Sequence, residues 1–472
     1  MPAAVSSPIP AVLLKLGPLD AGRVADLRPY LDSVPDPRSR RGRWYPLTAV
    51  LLVCAFAVLS GARSIDELAE WGERASTTLL AAIGIRRHPL LWRRSPSPAT
   101  IGRVPGALDG DLLDRAVGTY LADQHRTATL APTTGRRRVI AVDGKALKGS
   151  ARPTATRRHL LSAVTHGLVV TLAQAEVGAK TNETTHFRPL LAPLDLADAV
   201  VTFDALHSVK ANISWLVEAK NAHYIAVIKT NQPTAHGQLA ALPWRDIPLQ
   251  HTTSSAGHGR RESRSIKTCG IADELGGIAF PHAHLAIRAH RCRKQTGRGE
   301  TRESVYAVTS LDAHQTSPRD LATAIRGHWG VENSSHHIRD TTFAEDASTV
   351  HTGSAPRAMA ALRNLAIGVL KTLGAANIAK TTRAIRDQPE RALPLLGITN
   401  KSGPLRNLIK PCPPARTGHQ PVPAARTPAA PPRPRLETSR SAAAPHQRRV
   451  AVPSACAPRF RSFVDSLSLA PQ

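Results

Sequence analysis

The spacing of apolar and polar positions divides the chain into stretches of different period. Up to about residue 125 the pattern is helical. Residues 47–59 are apolar at every position except Thr48, which predicts a helix buried on all sides, with Pro46 at its first turn. Ser64 caps the next helix, around 65–71, and Glu67 three residues on completes a capping box. Residues 20–30 predict one more helix. From Arg136 the period shortens, and residues 139–142, 159–163, 168–177, 199–203 and 223–228 are short, apolar and partly β-branched. The first of these strands is expected to end in a turn at Asp143-Gly144-Lys145, and another turn falls at His166-Gly167. Helices are predicted at 187–194 and 209–219. Three strands, a helix, a strand, a helix and a strand describe a mixed α/β sheet that begins as a meander. Between about 234 and 315, alternating runs at 263–268, 284–288 and 304–308 predict a mostly β insertion. Ser317-Pro318 then opens a long helix, followed by an apolar helix at 358–373 and a last helical segment at 376–396. From Thr399 onward Pro, Ala, Arg and Ser dominate, with Glu437 and Asp465 the only acids. This tail is expected to be disordered. The predicted organisation is a helical N-terminal domain at 1–125, an α/β domain at 136–398 and the tail at 399–472.

Charge narrows the partner. A formal net charge of +27 and a pI near 11.0 exceed what solubility asks for and suit a polyanion. Nucleic acid comes first and an anionic membrane surface second. Basic loops at 38–43, 86–87, 93–94, 260–261 and 291–294 suit DNA phosphates. The five cysteines are scattered without zinc-like spacing, which favours a reducing cytoplasm over a disulfide framework. The apolar run at 47–59 is shorter than the ~20 residues of a membrane helix and lies too far along to be a signal peptide. A soluble, intracellular protein is expected.

The chemistry gathers in one stretch, 328–340. On a helix His328, Glu332, His336 and Asp340 stand four apart on one face, with Arg339 leaning to the same side. Asp143 and Asp204 each follow a predicted strand. Carboxylates brought to one point from separate elements suit Mg²⁺, which takes few protein ligands and leaves room for phosphate and water. Lys145, Lys229, Arg326 and Arg339 are candidate cations for the charge of a reacting phosphate. Other readings stand beside these: Asp143 as a turn former, Asp204 as a helix cap, Glu332 as a surface residue paired with His336 or Arg339. Asp340 is the rival third acid. A zinc site from His328, Glu332 and His336 lacks a further ligand, and Glu345-Asp346 fits a solvated turn.

Taken together, Asp36-Pro37-Arg38, Ala141-Val142-Asp143-Gly144-Lys145, Phe203-Asp204-Ala205-Leu206-His207, Ile228-Lys229-Thr230-Asn231-Gln232-Pro233, Gly257-His258-Gly259-Arg260, the run from His328 to Asp340, Phe343-Ala344-Glu345-Asp346 and Arg363-Asn364-Leu365-Ala366 resemble the bacterial insertion-sequence transposases of the DDE type, in particular the ISAs-type group. The resemblance spans roughly residues 20–398. It implies an RNase H-like catalytic core with Asp143, Asp204 and Glu332 as the metal-binding triad, Mg²⁺ as cofactor with Mn²⁺ as substitute, and double-stranded DNA as partner. It also implies cleavage at the element's ends to leave 3′-hydroxyls that attack target DNA, by a homodimer or larger assembly in the bacterial cytoplasm at the nucleoid. The wider group's glutamate helix carries a Tyr-Arg-Glu-Lys signature. Here Ile325 stands at its Tyr position, His328 at Arg and Arg339 at Lys, with Arg326 two residues away from the Arg position. His328, His336 and Asp340 join Lys145, Lys229, Arg326 and Arg339 as expected supports for DNA or the transition state. The alternative is an inactive or domesticated DNA-binding or nuclease protein on the same fold.

Overall fold

Among the described residues six α-helices precede the first strand. The computed structural model describes residues 24–90, 92–128, 137–151, 157–178, 183–257, 259–272, 277–297 and 299–398. The tail at 399–472, the start of the helix expected at 20–30, and His258 lie outside them. Helix α1 (Arg28–Asp32) starts later than expected, with Pro29 in its first turn. α2 (Leu47–Leu59) has the expected bounds and buries every residue but Thr48. α3 (Ile65–Arg74) is capped by the Ser64 hydroxyl, which accepts the Glu67 N–H, while the Glu67 carboxylate reaches back to the N–H of Arg63 at 2.9 Å. α4 (Thr77–Ala82), α5 (Pro98–Ala107) and α6 (Gly110–Ala128) complete this part.

β1 (Val139–Leu147) does not stop at Asp143. Asp143, Gly144 and Lys145 pair with Ser162, Leu161 and Leu160 of the antiparallel β2 (Arg158–Thr165), so the ladder holds the Asp-Gly pair extended where local preference favours a turn. A Cβ at Gly144 would stand 2.9 Å from a Glu183 carboxylate oxygen, so a larger residue there would displace that side-chain end. The chain continues through β3 (Thr171–Val177), α7 (Glu183–Leu191), β4 (Val200–Phe203), α8 (Lys210–Glu218) and β5 (His223–Ile228). An unforeseen helix, α9 (Pro233–Ala241), opens the insertion. Its strands are β6 (His251–Gly257), β7 (Arg260–Gly270), β8 (Leu285–Gln295) and β9 (Thr301–Thr309).

The sheet has nine strands in the order β3-β2-β1-β4-β5-β9-β8-β7-β6. β1, β4 and β5 are parallel and the other pairings antiparallel. The first five strands form the expected RNase H-like mixed sheet, and the insertion extends it edge to edge through β9. α10 (Pro318–His328), a π-turn (Glu332–His336), α11 (His337–Thr341), α12 (Ala355–Thr372), α13 (Ile378–Asp387) and two 3-10 turns (Pro389–Ala392 and Pro394–Leu396) follow the insertion.

Period-two alternation sorts the sheet's two faces. Ile140, Val142, Val201, Phe203, Tyr224 and Ala226 enter one core with α7 and α8. Val200 and Ile225 pack with α10, and Ala141 packs with Val331. The N-terminal helices share a further core with α12 and α13, and both α6 and α12 pack against β3. No helix among the described residues is long and apolar enough to cross a membrane.

Candidate active site

Asp143 and Lys145 lie on the same face of β1 as Ala141, which turns them toward the layer of α10 and α11. Thr202, and Asp204 just past the end of β4, share that side. Val331 packs against Ala141, Val164 and Val169, so the helical chain is pressed onto β1 and β2 immediately before Glu332. Here the single α-helix expected across 328–340 is interrupted: the His337 N–H bonds the carbonyl of Glu332, one residue further back than α-helical spacing. The polar stripe still meets the sheet residue by residue. His328 Nε2 stands 3.6 Å from Asp204 Oδ1, His336 Nδ1 stands 3.8 Å from Asp143 Oδ2, and the Lys145 ammonium donates to both Asp340 oxygens at 2.8 and 2.9 Å.

Electrostatics ties the three acids together. The Asp143 carboxyl is pushed up to about 6, first by burial; His328 opposes the rise, and the charges of Asp204 and Glu332 add to it. Asp204 is held below its usual range by His328 as polar partner and charge, against burial, with Lys229 and His207 helping. His336 is driven down to about 3 by burial and then by Arg339 and Lys145. It is therefore neutral beside Asp143 at pH 7 and forms no ion pair there.

A buried relay supports His328. Thr202 Oγ1 lies 3.2 Å from His328 Nδ1 and 3.1 Å from His166 Nε2. Its one proton can serve only one ring, so it must accept from the other. His166 is lowered to about 4 by burial and by His328.

Residues 134–368 match the transposase DDE domain, and residues 29–121 match the DDE_Tnp_1-associated region. The chain belongs to the DDE transposase family. A protein of Escherichia coli O157:H7 named "Putative transposase YncI" is 25% identical over 359 residues, 74% of this chain and 88% of its own length. One of Escherichia coli K12 named "H repeat-associated putative transposase YhhI" is 26% identical over 362 residues, covering 73% of this chain and 90% of its own. Among solved structures, a piggyBac transposase synaptic complex with hairpin DNA aligns over 83% of this chain and 82% of that chain, at 10% identity and a TM-score of 0.36.

Not every residue expected at the DDE site faces it. Arg339 is buried, donates one hydrogen bond to Glu345 at 3.0 Å and pairs with its other oxygen by charge at 2.8 Å; Arg363 donates to the same carboxylate at 2.9 Å. The Glu345-Asp346 pair is thus no solvated turn. Glu345 is a buried counter-ion for two guanidiniums, and Asp346 pairs with Lys148 at 2.8 Å and approaches Lys145 at 3.7 Å. Arg326 lines a groove of about 130 Å³ between α10 and the insertion strands, beside Arg264 and Trp329. Lys229 is exposed, and its charge reaches Asp204.

Sequence reasoning passed over Glu183, His207, His166 and Thr202. The buried His207 ring lies 3.5 Å from Glu183 on the other side of Asp204's loop, and Glu183 is held low first by that imidazole. Strand parity was the available signal for Thr202, two residues before Asp204. His166 showed only as a turn residue.

Among the described residues no three His, Cys, Asp or Glu side chains converge closely enough to hold an ion as they stand. The donor chemistry nonetheless suits a hard divalent cation: three carboxylates on three elements, one of them raised by burial and then by its neighbours' charge, which a bound cation would offset.

Proposed function

We propose that this chain catalyses metal-dependent cleavage of DNA at the ends of an insertion sequence, and transfer of the freed 3′-hydroxyl strand to target DNA. What supports the reading is the placement of Asp143, Asp204 and Glu332, one mid-strand, one just past the end of the adjacent parallel strand and one in the helical turn above, with Asp143 raised first by burial and further by the charges of the other two. These three would hold Mg²⁺, or Mn²⁺ in its place. When bound, the ion supplies positive charge for the attacking and departing oxygens of a phosphodiester. Thr202 and His166 set the His328 ring, and His328 keeps Asp204 ionised and aimed. Lys229 places a cation at the rim for the DNA phosphates. Glu332 is favoured over Asp340 as the third acid because Asp340 gives both oxygens to Lys145, whereas the charge of Glu332 reaches Asp143.

In this reading the catalytic domain is 136–398 and the helical part up to 125 binds DNA through its basic loops. Two ends must be cut, so the working form is at least a homodimer, acting in the cytoplasm at the nucleoid. The test is cleavage and joining of DNA carrying the element's own ends with Mg²⁺, comparing wild type with Asp143→Asn, Asp204→Asn and Glu332→Gln. Wild type is expected to cut and join, while each variant still binds DNA and does neither. Activity retained in Glu332→Gln but lost in Asp340→Asn would move the third acid one helical step. A wild type that binds its ends and never cuts would leave only a DNA-binding relative of the family.

A further inference from the structure

Two loops at the N-terminal end of α2 carry a surface that the acidic site does not use. Trp44, from the loop leading into α2, meets His88 of the loop between α4 and α5, with ring centroids 5.9 Å apart at 51°. His88 stacks on Trp92 at 4.0 Å and 9°, and the Arg94 guanidinium carbon lies 5.1 Å from the Trp92 ring centroid. The result is a ladder of four flat groups, Trp44, His88, Trp92 and Arg94. Trp44 is 47% exposed and Trp92 42%. Large aromatic surface left to water at this density marks a contact site.

Charge says what the contact is. Residues 37–65 and 76–108 contain no Asp or Glu. Asp36 pairs with Arg38 and Arg43, and Arg40, Arg41, Arg86 and Arg94 are exposed on the same two loops. Arginines beside a half-exposed Trp44 ring, which ends a ladder whose inner rings already stack, suit a polyanion that offers flat rings. In an intact duplex the bases stack on each other and show only their edges. An unpaired base offers a face. α2 is thirteen residues long, or about 20 Å. Its other end leads to Arg63, which donates to the Thr342 carbonyl beside α11 and accepts from Arg363 through its own carbonyl. The ladder is thus at the far end of α2 from the helices that carry Glu332.

We infer that the Trp44–His88–Trp92–Arg94 ladder is a second DNA site, which stacks an unpaired base of a single-stranded segment while the surrounding arginines hold its phosphates. The inference rests on DNA being the partner, but its test needs no cleavage and so stands or falls apart from the catalytic reading. Full-length protein in EDTA is titrated with a fluorescent hairpin duplex, either blunt or carrying a short 3′ oligothymidine tail. Wild type should bind the tailed hairpin about tenfold more tightly, the effect of roughly one stacked base. The double variant Trp44→Leu/Trp92→Leu should lose that preference while keeping its affinity for the blunt hairpin, and Trp44→Phe/Trp92→Phe should retain most of the preference. Thermal melts of both variants separate lost stacking from lost folding. Arg40→Gln/Arg86→Gln should weaken both ligands and reduce the steepness of the salt dependence. Equal binding of the two hairpins by wild type would overturn the inference, as would a Leu variant that melts like wild type and keeps the preference. A Leu variant that changes the oligomeric state and not the preference would assign the ladder to a contact between copies of this chain, and would also overturn it.

Discussion

Arg339 and Glu345 make their contacts where water does not reach, and Arg363 closes the group from α12. Burial alone would protonate Glu345; the two guanidiniums outweigh it and hold the carboxyl below its ordinary range. Removing the shared acid leaves two buried cations facing each other, a loss on the order of 3–5 kcal/mol for a buried pair broken on one side. Glu345→Gln should therefore lower the unfolding midpoint strongly. Arg339→Met should lower it less, because Glu345 keeps Arg363. Neither change should alter the slope of DNA affinity against salt, which a lost phosphate contact would reduce by about 0.9. A reduced slope with an unchanged melt in Arg339→Met would return that residue to the DNA surface. Lys371 on α12 gives a second test at this scale. Its ammonium donates to the Ser334 carbonyl of the π-turn at 2.5 Å, and burial lowers it to about 8. A lysine lowered in the fold resists charging there, so its contribution to stability is poorest below pH 8 and improves as pH climbs toward its unfolded value of 10.5. Lys371→Met should remove that gain, seen as a flatter difference in melting temperature between pH 8 and 10.

The π-turn decides which way the second half of the glutamate helix faces. Its extra residue advances every later position, and so brings His336 beside Asp143, Asp340 onto Lys145 and Arg339 onto Glu345. Deleting Asn333, whose side chain only reaches back to the Trp329 carbonyl, would restore α-helical spacing and turn the later residues by about 100°. Glu332 stays, yet DNA end cleavage should vanish and the melt should fall because the Lys145 and Glu345 pairs are both misaligned. Full activity in that deletion would show that only the first half of the helix matters. The same elements show what a sequence can tell. α2 and the parallel strands were legible because burial imposes an unbroken apolar run on them, and the stripe from His328 to Asp340 was legible as spacing. The length of β1 was not, since Asp143-Gly144 is locally a turn and only the ladder to Ser162 and Leu161 overrides it. Nothing local marks the π-turn, and the partners of Arg339 emerge only when the turn at Glu345 and α12 fold back onto it.

For the whole molecule the question is how the helical N-terminal part is fastened to the sheet. Polar links run from α6 through Asp114 to Arg357 of α12 at 2.6 Å and to Gln174 of β3 at 2.9 Å, and on from Gln174 to Asn364 at 2.9 Å. The residues of this seam were visible in the sequence and their meeting was not, because each lies tens of residues from its partner. The backbones come close at Gly118 of α6, where a Cβ would land 2.3 Å from the Leu172 carbonyl oxygen of β3. Gly118→Ala offers a helix up to about 1 kcal/mol of intrinsic preference. Against it stands a backbone atom held in a sheet, which cannot rotate away as a side-chain end would, and overpacking of this kind costs roughly 1–3 kcal/mol. The clash should win, and the variant should melt earlier. Gly237 of α9 is the matched control, since nothing lies within 4 Å of a Cβ there. Gly237→Ala should raise the melting temperature through the same helix preference with no opposing contact. The pair asks one chemical question at two places. If both substitutions stabilise, α6 can move off β3 at little cost, and the helical part is fastened through Arg357 and α12 alone. If Gly118→Ala destabilises while Gly237→Ala stabilises, backbone packing at β3 is part of the fastening, and a DNA contact on the N-terminal helices is carried on the same rigid frame as Asp143.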